Sequence, residues 1–258
     1  MEQAKLGIID ESGLDNLLQE AREIKIGTPY GLPPTILLGK LEGRETAILP
    51  RRGRYLVPPH RVNYRALIWA LHTLGVERII AIHFTDSLNP RIKPEALVIP
   101  NDFIDFTKTR SVTFYDMAPT MRVDSSHPFC PELRTALIRA EKSVIGKAWG
   151  KAICVCSDGP RYETPAEVRM FRALGGDLVS ATVSPEPILA RELETCYAAV
   201  CIVCNVAAGI PGRLTTEEAS VAAQNTANIL RQIIKEAVEN IPEKRNCPCP
   251  HALEGARA

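Results

Sequence analysis

The feature that most constrains this chain is an alternation. Short apolar runs rich in Ile and Val alternate with longer segments whose apolar residues recur at helical spacing. The runs are LGIID (6–10), ETAILP (45–50), RIIAIHF (78–84), ALVIP (96–100), KAICVCS (151–157), GDLVSAT (176–182) and YAAVCIVCN (197–205). Most lack strict polar–apolar alternation, as strands buried on both faces do. The helical segments are 63–75, 130–144, 164–175, 185–194 and 215–241. Thr164 and Thr215 open two of them, each with a glutamate at the third helical position, a capping pattern. Strand–helix alternation predicts an α/β fold with a central mixed β-sheet flanked by helices.

The 258 residues suit one large domain, expected over 1–241. Hydrophobic residues make up 45% and aromatics only 5%, so the core is expected to be aliphatic. The stretch 242–258, with its Cys-Pro-Cys, is expected to be a flexible tail. A net charge of +1 gives no reason to expect nucleic acid or a membrane as partner. No apolar run approaches the roughly 18 residues of a membrane span. The first residues lack the basic-then-apolar form of a signal peptide, so a cytoplasmic location is expected.

In open α/β sheets ligands bind beyond the carboxyl ends of strands. Here those ends carry DESG (10–13), RRG (51–53), HFTDS (83–87), SDGPRYET (157–164), SATVSPE (180–186) and CNVAAG (204–209). Turn chemistry explains each one alone. Their common placement lets polar groups converge on one crevice. His83 is the one histidine at such an end; His60 and His127 sit beside prolines and read as surface or packing residues.

Cys154 and Cys156 share a strand face, and Cys201 and Cys204 form a C-x-x-C inside an apolar run. No second pair at suitable spacing supplies further zinc ligands to them. Buried free thiols are the expectation for these four.

The segment CSDGPRYETPAEVRMFRALGGDLVSAT (156–182) resembles the G-P-R-[FY]-E-T-x-A-E-x-R-M stretch of the trimeric purine nucleoside phosphorylases, in the methylthioadenosine/methylthioinosine phosphorylase branch. PPHRVNYRALIWAL, VIPNDFIDFTKTR, HPFCPELR, PEPILARELETCYAAVCIVCNVAAGI and LTTEE resemble the same branch in the same order, so the likeness spans residues 6–235. It implies the single-domain phosphorylase fold, a homotrimer or hexamer with sites near subunit interfaces, and a role in purine salvage. It also implies phosphate as co-substrate, with no cofactor and no metal. Phosphate attacks the anomeric carbon of the nucleoside while the purine departs, so the site needs an anion cradle, sugar contacts and a stabiliser of the departing base.

The resemblance places Ser12, Arg51, Arg52, His83 and Thr182 at phosphate. It places Tyr162, Glu163, Ala181, Asn205 and Thr216 around purine and ribose, and Arg122 across the subunit interface. Asn205 takes the catalytic position; asparagine rather than aspartate there implies a 6-oxopurine nucleoside of inosine or methylthioinosine type. The anion cradle departs from the family. Asp10 and Glu11 replace two glycines, Arg52 a histidine, His83 and Phe84 a small pair, Asp86 a glycine, Ala181 a methionine, and Arg122 a histidine. Two alternatives to phosphorolysis stand beside it: phosphate-independent nucleoside or nucleotide N-ribohydrolysis, and nucleoside binding without catalysis. Some family members carry a disulfide where Cys130 and Cys196 stand, and a feature like the Cys247–Cys249 pair; reduced thiols remain open for both.

Overall fold

The computed structural model describes residues 3–212 and 214–258. Its strands are β1 (Leu6–Asp10), β2 (Gln19–Ile24), β3 (Ile36–Leu41), β4 (Arg44–Pro50), β5 (Arg78–Ser87), β6 (Leu97–Val98), β7 (Asp102–Asp105), β8 (Ile153–Cys156), β9 (Leu178–Ser180) and β10 (Cys196–Val206). Its helices are α1 (Tyr64–Thr73), α2 (Pro131–Ile145), α3 (Pro165–Ala173), α4 (Glu186–Glu192) and α5 (Thr216–Asn240). The described strands form one mixed sheet. β4, β1, β5 and β10 run parallel at its centre, β2 and β3 extend one edge antiparallel, and β9, β8 and β7 continue from the end of β5.

The unbroken apolar runs follow from cover on both faces. Along β5, Ile79 and Ala81 face the layer of α1 and α4, while Ile80 and Ile82 face that of α2 and α5. β10 divides the same way, with Tyr197, Ala199, Cys201 and Val203 on one side and Ala198, Val200 and Ile202 on the other. Each buried Ile or Leu contributes about 1.5–3 kcal/mol, so these two strands are the best-anchored part of the molecule. Helix starts follow their caps. Thr164 and Glu167 close a reciprocal capping box on α3, Thr215 accepts from Glu218 N on α5, and Asn63 accepts from Ala66 N on α1.

Three strands escape the sequence pattern. β2 is exposed along nearly its whole length, so no hydrophobic period marks it. β3 joins β4 through Glu42 and Gly43, both at positive φ, the geometry of a tight hairpin. β7 is short and polar at both ends. The tail also differs from expectation. Cys247, Cys249, Ala252 and Ala256 are buried, Arg122 N donates to Ala256 O, and Ala258 N donates to Thr120 O. Small apolar side chains and backbone pairing tie residues 242–258 to the body, where polar composition alone suggests a loose end.

All eight cysteines are buried free thiols, so neither Cys130–Cys196 nor Cys247–Cys249 is bonded.

Candidate functional site

The ends of β1, β4, β5, β9 and β10 meet on one side of the sheet, and two cavities open between them. One, of about 310 Å³, is bordered by Asp10, Glu11, Gly13, Arg52, Leu56 and Phe84. The other, of about 160 Å³, is bordered by Phe84, Asp86, Tyr162, Glu163, Ala181 and Asn205. Phe84 borders both.

In the first region every strong donor already holds an acceptor from the chain itself. Backbone N–H groups of Ser12, Gly13 and Leu14 and the Ser12 hydroxyl all donate to the Asp10 carboxylate, at 2.7–2.8 Å. Gly13, at φ +82°, makes that tight turn possible. This is an anion nest filled by the protein's own anion. Arg51 follows β4 and is 1% exposed. Its Nε and one Nη2 N–H go to Glu186, its two Nη1 N–H groups go to Glu11 and the Ile82 carbonyl, and the remaining one faces His83 Nε2 at 3.3 Å. Burial opposes its charge, but Glu186 and Glu11 push its pKa well above the ordinary value, so it stays cationic.

His83 does not reach either cavity. Its ring is fully buried between Thr182 Oγ1 and Tyr197 Oη, each at 2.9 Å. Burial and the neighbouring Arg51 lower its pKa well below the ordinary value, so it is neutral. Tyr197 gives its proton to Glu186, and the two His83 ring nitrogens meet the Tyr197 and Thr182 hydroxyls. His83 thus orients Thr182 and is corrected from an anion ligand to a buried brace. Arg52 lines the first cavity, but its guanidinium is held by the carbonyls of Leu56 and Val57 in its own loop.

The second region is poised differently. A bulge at Cys204 shifts the β10 register so that Asn205 pairs with Asp86 on β5. Asn205 Nδ2 donates to Asp86 Oδ1 at 2.9 Å, and its Oδ1 receives Thr215 N at 3.4 Å. A carboxylate only accepts, so Asp86 fixes which way the amide points, and the Asn205 side chain also meets the Tyr162 hydroxyl. Burial, with a contribution from Glu163, pushes the Asp86 pKa up to about 6 despite the Asn205 bond. Ser157 Oγ donates to Glu163 Oε1, and among the described residues Oε2 accepts no hydrogen bond. Tyr162 is exposed beside them, and Thr216 is exposed at the start of α5 next to Thr215. Arg122 lines neither cavity; it is exposed where its loop meets the tail.

Sequence reasoning missed three organisers. Glu186 is fully buried on α4 and reaches Arg51 across 135 residues. Tyr197 links it to His83. Arg110, in the excursion between β7 and α2, donates to the carbonyls of Ser157, Asp158, Ala181 and Ser184 and lies 4.9 Å over the Tyr64 ring. It joins two strand ends around the second cavity. Gly159, at φ +64°, packs where a Cβ would meet the Ala181 Cβ at 3.2 Å, so a side chain there would strain the loop backbone and crowd Ala181. Arg161 pairs with Glu167 and with the Tyr162 carbonyl and so braces that loop.

Comparison with known proteins follows the same lines. A sequence profile described as Phosphorylase superfamily matches residues 5–239. A probable S-methyl-5'-thioinosine phosphorylase of Methanothermobacter thermautotrophicus is 45% identical, covering 97% of this chain and 89% of that protein. A 6-oxopurine nucleoside phosphorylase of Pyrococcus furiosus is also 45% identical, covering 98% of each. Among solved structures, a methylthioadenosine phosphorylase from an Antarctic soil metagenomic library superposes with a TM-score of 0.93 at 35% identity, over 100% of this chain and 93% of that one.

Proposed function

The chain belongs to the phosphorylase superfamily, and from that premise we propose that it cleaves the N-glycosidic bond of a 6-oxopurine nucleoside, of inosine or methylthioinosine type, with phosphate. One observation carries the base preference. Asn205, held by Asp86, offers a donor, and Glu163 offers a carboxylate oxygen as acceptor, on the same cavity. A 6-oxopurine presents acceptors at O6 and N7 and a donor at N1–H, the complement of that pair. A 6-aminopurine presents a donor at its amino group and an acceptor at N1, the reverse.

The phosphate oxygen forms a bond to the anomeric carbon as the bond to N9 breaks, and the electron pair passes into the purine. Asn205 N–H stabilises the charge that collects at N7 and O6, where it does more in the transition state than in the ground state. Tyr162 covers the base; Ala181 and Thr216 face the sugar. Thr182, Ser12, Arg51 and Arg52 surround the place for phosphate, and Glu11 has to leave Arg51 for phosphate to take it. Arg122 reaches a neighbouring subunit's site in a homotrimer or hexamer. The cytoplasm and purine salvage suit this chemistry.

Incubation with inosine or methylthioinosine, with and without phosphate, tests the reading. Phosphate-dependent release of hypoxanthine with a sugar 1-phosphate is expected. Release at the same rate without phosphate would replace phosphorolysis by hydrolysis. No release across a nucleoside panel would leave a binding protein. Light scattering on a sizing column checks the oligomer.

A further inference from the structure

Away from the cleft, four chain segments bring cysteines to one point. Cys130 caps the start of α2, Cys196 opens β10, and Cys247 and Cys249 come from the folded tail. All four are buried, and their sulfur atoms lie within 4.8 Å of one another. Cys196 and Cys247 are 3.3 Å apart, too far for a sulfur–sulfur bond. Four thiolates at about 2.3 Å from one zinc ion stand about 3.8 Å apart, which is the spacing scale of this cluster. The sulfurs converge on a common centre rather than in two separate pairs.

We propose that Cys130, Cys196, Cys247 and Cys249 bind one zinc ion as a closed, structural tetrathiolate site. No metal is expected from the sequence because the four positions are far apart in it; the tail supplies the second pair of ligands only by folding back. Binding is without redox change: four S–H bonds give way to four Zn–S bonds, and four protons pass to solvent. The resulting complex carries two negative charges, and its surroundings suit them. Cys130 lies at the positive end of a 15-residue helix. Arg78, the register partner of Cys196, is 4% exposed, and its Nε has no hydrogen-bond partner among the described residues. Its other nitrogens hold Glu132 on α2 and the Glu243 carbonyl in the tail. Acidic groups nearby are already engaged: Glu132 by Arg78 and Asn246 N, and Glu77 by Lys5 and Arg245. Zinc here would fasten residues 242–258, and through them the loop of Thr120 and Arg122.

The test uses the full chain, produced in zinc-supplemented medium and purified without chelator. About one zinc per chain is expected by mass spectrometric metal analysis. The denatured, non-reduced protein should show all eight thiols. Exchange into cobalt(II) should give the intense thiolate-to-cobalt absorption of a tetrahedral sulfur site. Cys247→Ser combined with Cys249→Ser should lower zinc content about tenfold or more; the cobalt spectrum of the unaltered chain stands independently of how well that variant folds. Zinc-free protein, a mass about four units low from two disulfides, or a cobalt complex without thiolate bands would each overturn the site.

Discussion

The two halves of the cleft differ in what their polar groups are doing. On the anion side, Arg51, the Ser12–Leu14 amides and His83 are all bound to partners within the chain. On the base side, Asn205 is held by Asp86 and Thr215 N, Glu163 is held by Ser157, and both border the open cavity. The first half therefore doubles as framework, and the second is mostly chemistry. A loss on the anion side should show in stability, and a loss on the base side in catalysis.

The sharpest break is Arg51→Met. It strands Glu186, fully buried, without its countercharge, and a cost of about 3–5 kcal/mol is expected. Urea denaturation checks it; a variant as stable as the parent would remove the framework role. Asn205→Ala makes the opposite demand. A fall of about 10²–10³ in kcat/KM for the 6-oxopurine nucleoside is expected, with a small change in unfolding midpoint. Next comes Glu11→Gln, which takes away the acid competing for Arg51. A fall of about tenfold in the phosphate KM is expected from losing one charged hydrogen bond. A higher phosphate KM would mean that Glu11 helps the anion to bind.

The pH profile of the base side gives a gentler test. The Asp86 pKa is pushed up to about 6, and only its carboxylate form holds the Asn205 amide in one orientation. Activity is therefore retained above that value and falls as pH drops through it. Asp86→Asn should erase this acid limb, as read from kcat/KM between pH 5 and 8. The smallest effect belongs to Tyr162→Ala. The ring is 39% exposed, and losing its contact with the base should raise the nucleoside KM about five- to tenfold, as for a stack worth about 1 kcal/mol.

The contrast between the halves also marks where sequence stops being informative. β1 is legible to the residue, because an all-buried run bounded by charges admits few readings. α3 is announced by Thr164 and Glu167. Asn205 and Glu163 could be located because each sits at a strand end within a specific local motif. The partners of Arg51 could not. Glu186 reads as an ordinary first-turn acid of α4, and Tyr197 as one more apolar residue of a buried strand; only the fold brings them to β4 and His83. Asp86 stands out in sequence as a departure from the family, but its role depends on the bulge at Cys204, a register event with no local signature. β2 and the tail failed for the same reason in reverse: polar composition hid pairing made with distant backbone.

Arg110 has a consequence for motion. One guanidinium ties the carbonyls that follow β8 to those that follow β9, and its own backbone belongs to the long excursion toward α2. Movement of the Tyr162 loop is therefore expected to be coupled to that of the Thr182 turn through this guanidinium. Any push on the excursion is delivered to both at once, so the slowest movement of this cleft is expected to be a single collective one rather than two local ones.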